Sequence, residues 1–296
     1  MKFISPLSIG IIVRGPRKSL HISGSEPDPL STGREDEAAD AGSTVGPHSA
    51  TGSSWPQADQ PRGNHLLARL SEPDRALLRP AVESVPLKVR QVLYGAGERI
   101  VHVYFVDSGL ISIVGTNKGD RRIEVGMVGS EGLAGIDVVL GADRASSEAL
   151  VQSAGSAWRI SSATLRELMA ESRSLSDTLL RFAHVFMIQA NQTAIAAGCG
   201  KIEERLARGL LMWHDRIRDD ELFVTHEFLA LLLGVRRQGI TVALHELEGK
   251  RLIKSTRNMV RILDRAGLQR EANGFYGLAE EAYVRALGPA SGRSES

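Results

Sequence analysis

Side chains that can read DNA bases follow one another in the C-terminal third of the chain. Arg236, Arg237 and Gln238 come shortly after a glycine, Gly234. An arginine can donate two hydrogen bonds to O6 and N7 of guanine, and a glutamine can bond N6 and N7 of adenine in the same two-point manner. Further polar residues at helical spacing are Thr241 and His245. These residue types in this order predict a base-reading helix.

Two helices joined by a glycine turn are needed to present these side chains. Thr225, which is also predicted to contact DNA, is a good N-cap for a first helix. This helix ends at Leu233-Gly234-Val235, where the glycine is free to adopt positive φ. A second helix is predicted from about Arg236 to Glu248, with a buried face made by Ile240, Leu244 and Leu247. Helix, short glycine turn and helix predict a helix-turn-helix.

A wing and a concentration of positive charge follow the second helix. Segments 252–254 and 258–263 alternate like two strands around a Ser-Thr-Arg turn. The residues of this wing that are predicted to contact DNA are Lys254, Thr256 and Arg257. From Arg236 to Arg270, nine basic residues stand against three acidic ones, a net charge of +6, whereas the whole chain carries +1. Such a local basic surface is typical of nucleic-acid-binding proteins.

Short β-branched runs alternate with glycine turns between Val89 and Trp158 and predict a β-domain. Asp107-Ser108-Gly109 and Asn117-Lys118-Gly119-Asp120 are expected to be hairpin turns. Strands at this spacing predict an antiparallel barrel or sandwich, which serves either to bind a ligand or as a plain scaffold. One or two short helices are expected before it, between Leu66 and Val82.

A long helix is predicted after the β-domain. Residues recur there at alternating steps of four and three, the spacing of a helix that pairs with another helix. This stripe packs either on its own domain or on a second copy of the chain, and the polar Gln189 and Thr193 within it favour the second copy. The residues predicted to form the dimer contact are Leu175, Leu179, Phe182, Phe186, Gln189 and Thr193.

Composition removes several classes of protein. The single cysteine, Cys199, excludes an internal disulfide framework and an iron–sulfur cluster held by four cysteines of one chain, and it favours the cytoplasm. No apolar run reaches the ~18 residues of a membrane span. Neither an enzymatic motif nor a metal-binding motif is present, so catalysis and a metal site are not expected. Residues 1–64, rich in Gly, Ser and Pro, are predicted to be a disordered tail.

Together these features resemble the Crp/Fnr family (cyclic-AMP receptor protein/fumarate-nitrate reductase regulator) of bacterial transcription factors. The resemblance rests on Tyr94-x-x-Gly97-Glu98, on Val103-Tyr104-Phe105-Val106-x-x-Gly109 and on the helix-turn-helix from Val224 to Ile253, and it covers about His65 to Tyr276. It implies an α+β chain with four parts: a cyclic-nucleotide-binding-like β-roll sensor domain (65–173), a dimerisation helix (174–198), a C-terminal winged helix-turn-helix (199–277) and a tail (278–296).

The resemblance also implies what such a chain does. It would be a homodimeric, sequence-specific regulator of transcription that binds a near-palindromic site in double-stranded DNA, with RNA polymerase as a further partner and no membrane contact. An alternative stays open, in which the chain is a sensor of a cyclic nucleotide or another small molecule and acts through protein contacts.

The residues that would hold an effector depart from the family pattern. Cyclic-nucleotide binders of the family use a Gly-Glu pair for the ribose and an arginine for the cyclic phosphate, and placing Gly135 on that glycine puts Ile136 at the glutamate and Ser147 at the arginine. Isoleucine accepts no hydrogen bond and serine carries no charge, whereas Asp137 and Arg144 lie nearby and could substitute. The predicted effector pocket is therefore Gly135, Ile136, Asp137, Arg144 and Ser147, with an unidentified ligand.

No cofactor is expected, although one branch of the family leaves an alternative open. The iron–sulfur branch needs four cysteines and is excluded by the single cysteine of this chain. The haem-sensing branch stays open, because a histidine can be an axial ligand. The histidines in question are His65, His102 and His184.

Overall fold

The computed structural model describes residues 63–119, 121–217 and 219–288. The predicted tail over 1–64 lies outside these residues except at its last two positions. One of them, Asn64, is fully buried, and its side-chain amide donates to the carbonyl oxygens of Val106 and Gly132, each at 2.7 Å. Its side-chain oxygen also accepts from the N–H of Leu67 at 2.9 Å. Asn64 is therefore part of the folded chain rather than of a tail.

An antiparallel β-domain with short helices forms the first part of the fold, as predicted. Strand order in its sheet is β1-β6-β3-β4, with β2 paired to β6 and β5 paired to β3. The strands are β1 (Glu83–Leu87), β2 (Val92–Tyr94), β3 (His102–Thr116), β4 (Arg122–Val128), β5 (Leu133–Ala134) and β6 (Glu148–Ser161). The helices are α1 (His65–Ala68), α2 (Glu72–Leu78), α3 (Ile136–Val139) and α4 (Ser162–Glu171), and a 3-10 turn covers Arg79–Ala81.

Of the two predicted hairpin turns, one is confirmed and the other is wrong. The chain turns after Thr116, where the N–H of Asn117 donates to the Arg121 carbonyl at 3.1 Å. Asp107-Ser108-Gly109 instead lies inside β3, where the register with β6 shifts around Ser108. Gly109 has φ +86, and a Cβ there would lie 2.6 Å from the Ser153 carbonyl oxygen, so this glycine allows a bulge in a continuous strand.

Helices and a small sheet make up the second part of the fold. The helices are α5 (Arg173–Cys199), α6 (Ile202–Ile217), α7 (His226–Leu233), α8 (Arg237–Gly249), α9 (Arg265–Glu271) and α10 (Leu278–Leu287). The strands are β7 (Glu221–Leu222), β8 (Ile253–Thr256) and β9 (Met259–Ile262), in the antiparallel order β7-β9-β8. Strands β8 and β9 confirm the predicted wing, and α5 confirms the predicted long helix.

The β-domain and the helical part share buried surface. Leu110 of β3 and Met127 of β4 are buried in a hydrophobic cluster whose other members lie between residues 206 and 272, in α6 to α9 and the small sheet. Strand β4 also packs against α7. The contact between the two parts is thus made of core residues and not only of surface side chains.

The segment predicted to be a C-terminal tail contains a helix. Residues 278–287 form α10, which packs along α5. Ala279, Ala282 and Tyr283 are buried, and Tyr283 joins the hydrophobic core of the β-domain, where its hydroxyl donates to the Glu131 carbonyl at 3.1 Å. The apolar face of α10 is short and made largely of alanine, and such a face is a weak signal in a sequence. Residues 289–296 lie outside the described part of the chain.

Candidate nucleic-acid interface

The first helix of the predicted helix-turn-helix is capped and ended by the predicted residues. The Thr225 hydroxyl accepts from the N–H of Phe228 at 3.1 Å, which satisfies one of the free donors at the start of α7. Gly234 ends the helix with φ +62, and the N–H of Val235 donates to the Ala230 carbonyl at 3.1 Å. Thr225 was predicted to contact DNA, and in the structure its hydroxyl serves the cap.

The second helix, α8, presents the predicted base-reading side chains on one exposed face. Four apolar residues anchor the opposite face in the core, and they are Ile240, Ala243, Leu244 and Leu247. Thr241 is half-buried, and its hydroxyl donates to the Arg237 carbonyl at 3.3 Å. The exposed members of the predicted set are Arg236, Arg237, Gln238 and His245. The structure therefore brings all five side chains together at the surface.

One residue of this face was not predicted. Val242 is 59% exposed and lies one turn after Gln238. A valine in this position can contact the methyl group of a thymine, which is an apolar mark in the major groove. The signal was present in the sequence as the spacing of four from Gln238, but an apolar residue inside a helix is ordinarily assigned to the core.

The wing is fastened to α8 by one carboxylate. The N–H of Ser255 in β8 donates to Oε1 of Glu248 at 2.6 Å, and Nδ1 of His245 lies 3.6 Å from the other oxygen of that carboxylate. The predicted wing contacts Lys254, Thr256 and Arg257 are exposed. The wing and the recognition face are thus positioned by a shared residue, Glu248, which the sequence reasoning did not single out.

A second ionic network fixes the helices behind α8. Arg265 of α9 donates to Asp215 of α6 at 2.6 Å and to the hydroxyl of Tyr276 at 2.8 Å. The Tyr276 hydroxyl in turn donates to the other oxygen of Asp215 at 2.7 Å, and burial together with the nearby Asp215 charge raises the pKa of this phenol. These contacts join α6, α9 and the segment after α9, which lie behind the helix-turn-helix.

The predicted dimer stripe of α5 faces its own chain, which corrects the sequence interpretation. Leu175, Leu179 and Phe182 are buried, and the Phe182 ring occupies the space that a side chain on Gly132 would take. The side-chain oxygen of Gln189 accepts from the N–H of Met127 in β4 at 2.7 Å. Thus six residues predicted to meet a second copy pack on the β-domain and on α6, and they are Leu175, Leu179, Phe182, Phe186, Gln189 and Thr193.

The polar residues of that stripe hold a buried arginine of α6. One guanidinium nitrogen of Arg208 donates to the Thr193 hydroxyl at 3.1 Å and lies 3.4 Å from the Gln189 carbonyl oxygen. The Nε of Arg208 donates to the Phe275 carbonyl at 3.0 Å. Burial lowers the pKa of this guanidinium, and the negative charge of Glu280 opposes that shift. Polarity within the stripe therefore serves contacts inside one chain.

A different face of α5 is exposed in the single chain. Its apolar members are Leu180, Met187 and Ile195, which are 42%, 51% and 48% exposed. His184 and Asn191 lie between them and are exposed too. Their spacing of three and four residues gives a continuous stripe along the helix.

The predicted effector residues lie together at the loop around α3. Gly135 is buried with φ +109, and a carboxylate oxygen of Asp137 accepts from the N–H of Ser146 at 3.3 Å. Below this loop the side chain of Tyr94 is buried, and burial together with the negative charge of Asp137 raises the pKa of its phenol. Ile136 and Ser147 are half-buried.

None of the five predicted pocket residues offers a buried cation for a cyclic phosphate. Arg144 is the one cation among the five predicted pocket residues, and it is exposed and donates to the Gly97 carbonyl at 3.0 Å. A cyclic phosphate brought to this loop would meet the Asp137 carboxylate without an inward cation from that set.

The candidate haem ligands lie in different surroundings. His65 is buried at the start of α1, whereas His184 is exposed on α5. Burial and the charge of Arg159 lower the pKa of His102. Within the described ranges, no group of three or more His, Cys, Asp or Glu could hold a metal ion. No helix of these ranges is long and apolar enough to cross a membrane.

Two family models match the chain, one for each of its parts. The model for the Crp-like helix-turn-helix domain matches residues 204–271, and the model for the cyclic nucleotide-binding domain matches residues 84–172. No curated protein sequence matches the chain.

Several solved structures share the fold. A putative Crp/Fnr transcriptional regulator from Eubacterium rectale is 17% identical, with a TM-score of 0.58 over 71% of this chain and 98% of the other. FixK2 from Bradyrhizobium japonicum is 15% identical, with a TM-score of 0.56 over 64% and 96%. The c-di-GMP responsive global regulator CLP from Xanthomonas campestris is 18% identical, with a TM-score of 0.54 over 65% and 99%.

A cyclic-nucleotide-binding-type β-domain joined through a long helix to a winged helix-turn-helix defines a class of DNA-binding transcription regulators. The chain belongs to the Crp/Fnr family within this class. The family consists of transcription regulators and not of enzymes.

Proposed function

We propose that the protein binds a near-palindromic DNA site as a homodimer, with one α8 in the major groove of each half-site. The observation that carries this proposal is the exposed base-reading face of α8, formed by Arg236, Arg237, Gln238 and Val242 on a helix whose other face is buried. A two-fold dimer that places one such helix in each half-site reads two segments about 34 Å apart, one turn of the duplex.

The proposed dimer contact is the exposed stripe of α5. Leu180, Met187 and Ile195 are large apolar side chains left open in the single chain, and a second copy of the same stripe would cover them. This face replaces the buried stripe that the sequence reasoning had favoured.

The β-domain acts, in this proposal, as a scaffold or as a sensor of a signal other than a cyclic nucleotide. The supporting observation is the chemistry of the α3 loop, where Arg144 is exposed and the Asp137 carboxylate lies nearby. The proposal includes no cofactor and no catalytic step. It also includes RNA polymerase as a partner and the cytoplasm as the place of action.

Selection of DNA from a random pool by the purified full-length protein tests the proposal. We expect an enriched inverted repeat whose half-site centres lie about 10 base pairs apart, bound by a species with the sedimentation of a dimer. Calorimetry with cyclic AMP and cyclic GMP is expected to give no heat of binding. Failure to enrich any sequence at moderate salt, together with tight binding of a cyclic nucleotide, would favour the sensor that acts through protein contacts.

A further inference from the structure

The β3–β4 hairpin of the β-domain packs on the turn of the helix-turn-helix. Ile123, the second residue of β4, contacts Gly234. A Cβ atom on that glycine would lie 3.0 Å from Ile123 Cδ1. The same strand, β4, packs along α7, and its Met127 is buried in the helical core. The hairpin is therefore held at a defined place next to the recognition helix.

The tip of this hairpin carries exposed positive charge. Lys118, Arg121 and Arg122 are all exposed, and Arg122 forms an ion pair with Glu148. Among the residues that the structure describes, neither Lys118 nor Arg121 has an ion-pair partner. Residues 118–122, which include Asp120, carry a net charge of +2. The tip of the hairpin is thus positive, while β4 is buried further along, at Glu124 and Met127.

The tip and the start of the recognition helix lie close together. Arg121 is two residues from Ile123, and Arg236 is two residues from Gly234. At ~3.3 Å per residue, the Cα of Arg121 lies within about 7 Å of the Cα of Ile123, and the Cα of Arg236 lies within about 7 Å of the Cα of Gly234. Arg121 and Arg236 therefore lie close in sequence to the two sides of one contact, that between Ile123 and Gly234.

Positive charges held close to one another in this way favour binding of a polyanion. The first helix of a helix-turn-helix crosses the DNA backbone while the second enters the groove. The hairpin packs on α7 and on the turn that follows it, so in this docking we expect it to face the backbone. We propose that the hairpin tip, through Lys118 and Arg121, binds backbone phosphates that flank the bases read by α8. The β-domain then contributes directly to DNA affinity.

This inference rests on the proposed recognition of DNA by α8, and its test separates the two. The variant is Lys118→Gln with Arg121→Gln, both in an exposed turn. The matched control is Arg166→Gln with Arg173→Gln, which removes the same charge. Arg173 begins α5, whose 27 residues place it about 40 Å along the helix axis from the DNA-binding part. Thermal melting checks that both variants are folded.

Binding of the selected DNA site is measured by fluorescence anisotropy from 50 to 300 mM salt. The hairpin variant is expected to bind all sequences about tenfold more weakly in 100 mM salt. The slope of log affinity against log salt should fall by about 1 to 2, since each lost phosphate contact removes about 0.9. The control should match the wild type. Shortening the DNA on both flanks is expected to abolish the difference between the hairpin variant and the wild type.

Other results overturn the inference. If the wild type binds its site and the hairpin variant binds it with the same affinity and salt slope, the hairpin does not contact DNA. Recognition by α8 would stand in that case. Unchanged DNA binding with a loss of transcription in a purified system would assign the tip to an acidic protein surface instead. A wild type that binds no DNA would refute the proposed function itself.

Discussion

Arg216 of α6 donates from Nε to Oε1 of Glu131 at 2.7 Å, and this ion pair joins the DNA-binding part to the turn between β4 and β5. Both side chains are largely buried, with 8% and 17% exposed. Each partner is also fixed by backbone, because Arg216 donates to the Met212 carbonyl at 2.7 Å and Glu131 accepts from the N–H of Gly129 at 3.1 Å. The pair is a buried connection between two domains that must keep a set orientation.

Breaking that pair is expected to destabilise the protein. Glu131→Gln removes the charge that pairs directly with buried Arg216, and loss of one partner of a buried pair costs about 3 kcal/mol or more. Urea unfolding of the full-length protein measures the loss. The control is Glu72→Gln, because Glu72 pairs with Arg75 at an exposed site, where pairs contribute about 0 to 1 kcal/mol. Equal losses for the two variants would contradict the structural role of the buried pair.

Stability is expected to fall with rising pH because of Glu124. This carboxyl group is buried in β4, accepts from the Ser112 hydroxyl, and has a pKa raised by burial to about 8 from an ordinary 4.5. Between these values the folded state keeps a proton that the unfolded state has lost, so the free energy of unfolding decreases as pH rises to about 8 and then levels off.

Glu124→Gln tests this pH dependence, since glutamine keeps a hydrogen-bond acceptor without an ionisable group. Urea unfolding is measured at pH 5, 6.5 and 8. The free energy of unfolding of the variant should rise relative to that of the wild type by up to about 1.4 kcal/mol per pH unit. Glu171→Gln, at an exposed end of α4, is expected to follow the wild type. Parallel pH profiles for the wild type and Glu124→Gln would rule out a protonated Glu124.

Base reading and phosphate binding are expected to separate by mutation. Arg237→Ala removes a two-point donor and should cost about 1 to 3 kcal/mol while relaxing preference at one base pair. Lys254→Ala should weaken binding to all sequences alike and reduce the salt dependence by about one phosphate. Competition binding with single-base variants of the selected site measures both effects. An equal loss on specific and random DNA for Arg237→Ala would show that this residue does not read bases.

Charge on the exposed stripe of α5 should separate the dimer without unfolding the chain. Met187→Asp places a carboxylate in the proposed contact, where burying an unpaired charge costs several kcal/mol. Sedimentation should then report a monomer, and binding to the full palindrome should drop to that of a half-site. Val89→Asp, at another exposed apolar position, is the control and should stay dimeric. A dimeric Met187→Asp protein would place the contact elsewhere.

Local patterns predicted the parts of the DNA-binding surface. The Thr225 cap, the Gly234 turn and the wing each depend on residues within a few positions of one another, so their spacing specifies them. No neighbouring residue explains the glycine at position 239 within α8, whereas a contact with a distant part of the chain does. A Cβ on Gly239 would lie 3.2 Å from Ile202 Cδ1, so the glycine lets α8 approach α6.

Long-range contacts account for what the sequence did not predict. A stripe on α5 is apolar whether a second copy or the β-domain covers it. Which of the two covers it depends on glycines in and next to the sheet. Gly126 leaves space for the ring of Phe186, and Gly132 leaves space for Phe182. Likewise Gly109 and Gly155 lie backbone against backbone, which turns an expected hairpin into a bulge. Such pairings join positions far apart in the chain.

The burial of Tyr283 in the β-domain has a consequence for protein synthesis. The last strand of that domain ends at Ser161, and Tyr283 is made 122 residues later. At about 5 to 20 residues per second, the ribosome needs roughly 6 to 24 seconds to add them. During this time Tyr283 is missing from the core of the nascent β-domain, so the domain reaches its final packing only after the DNA-binding domain has been translated.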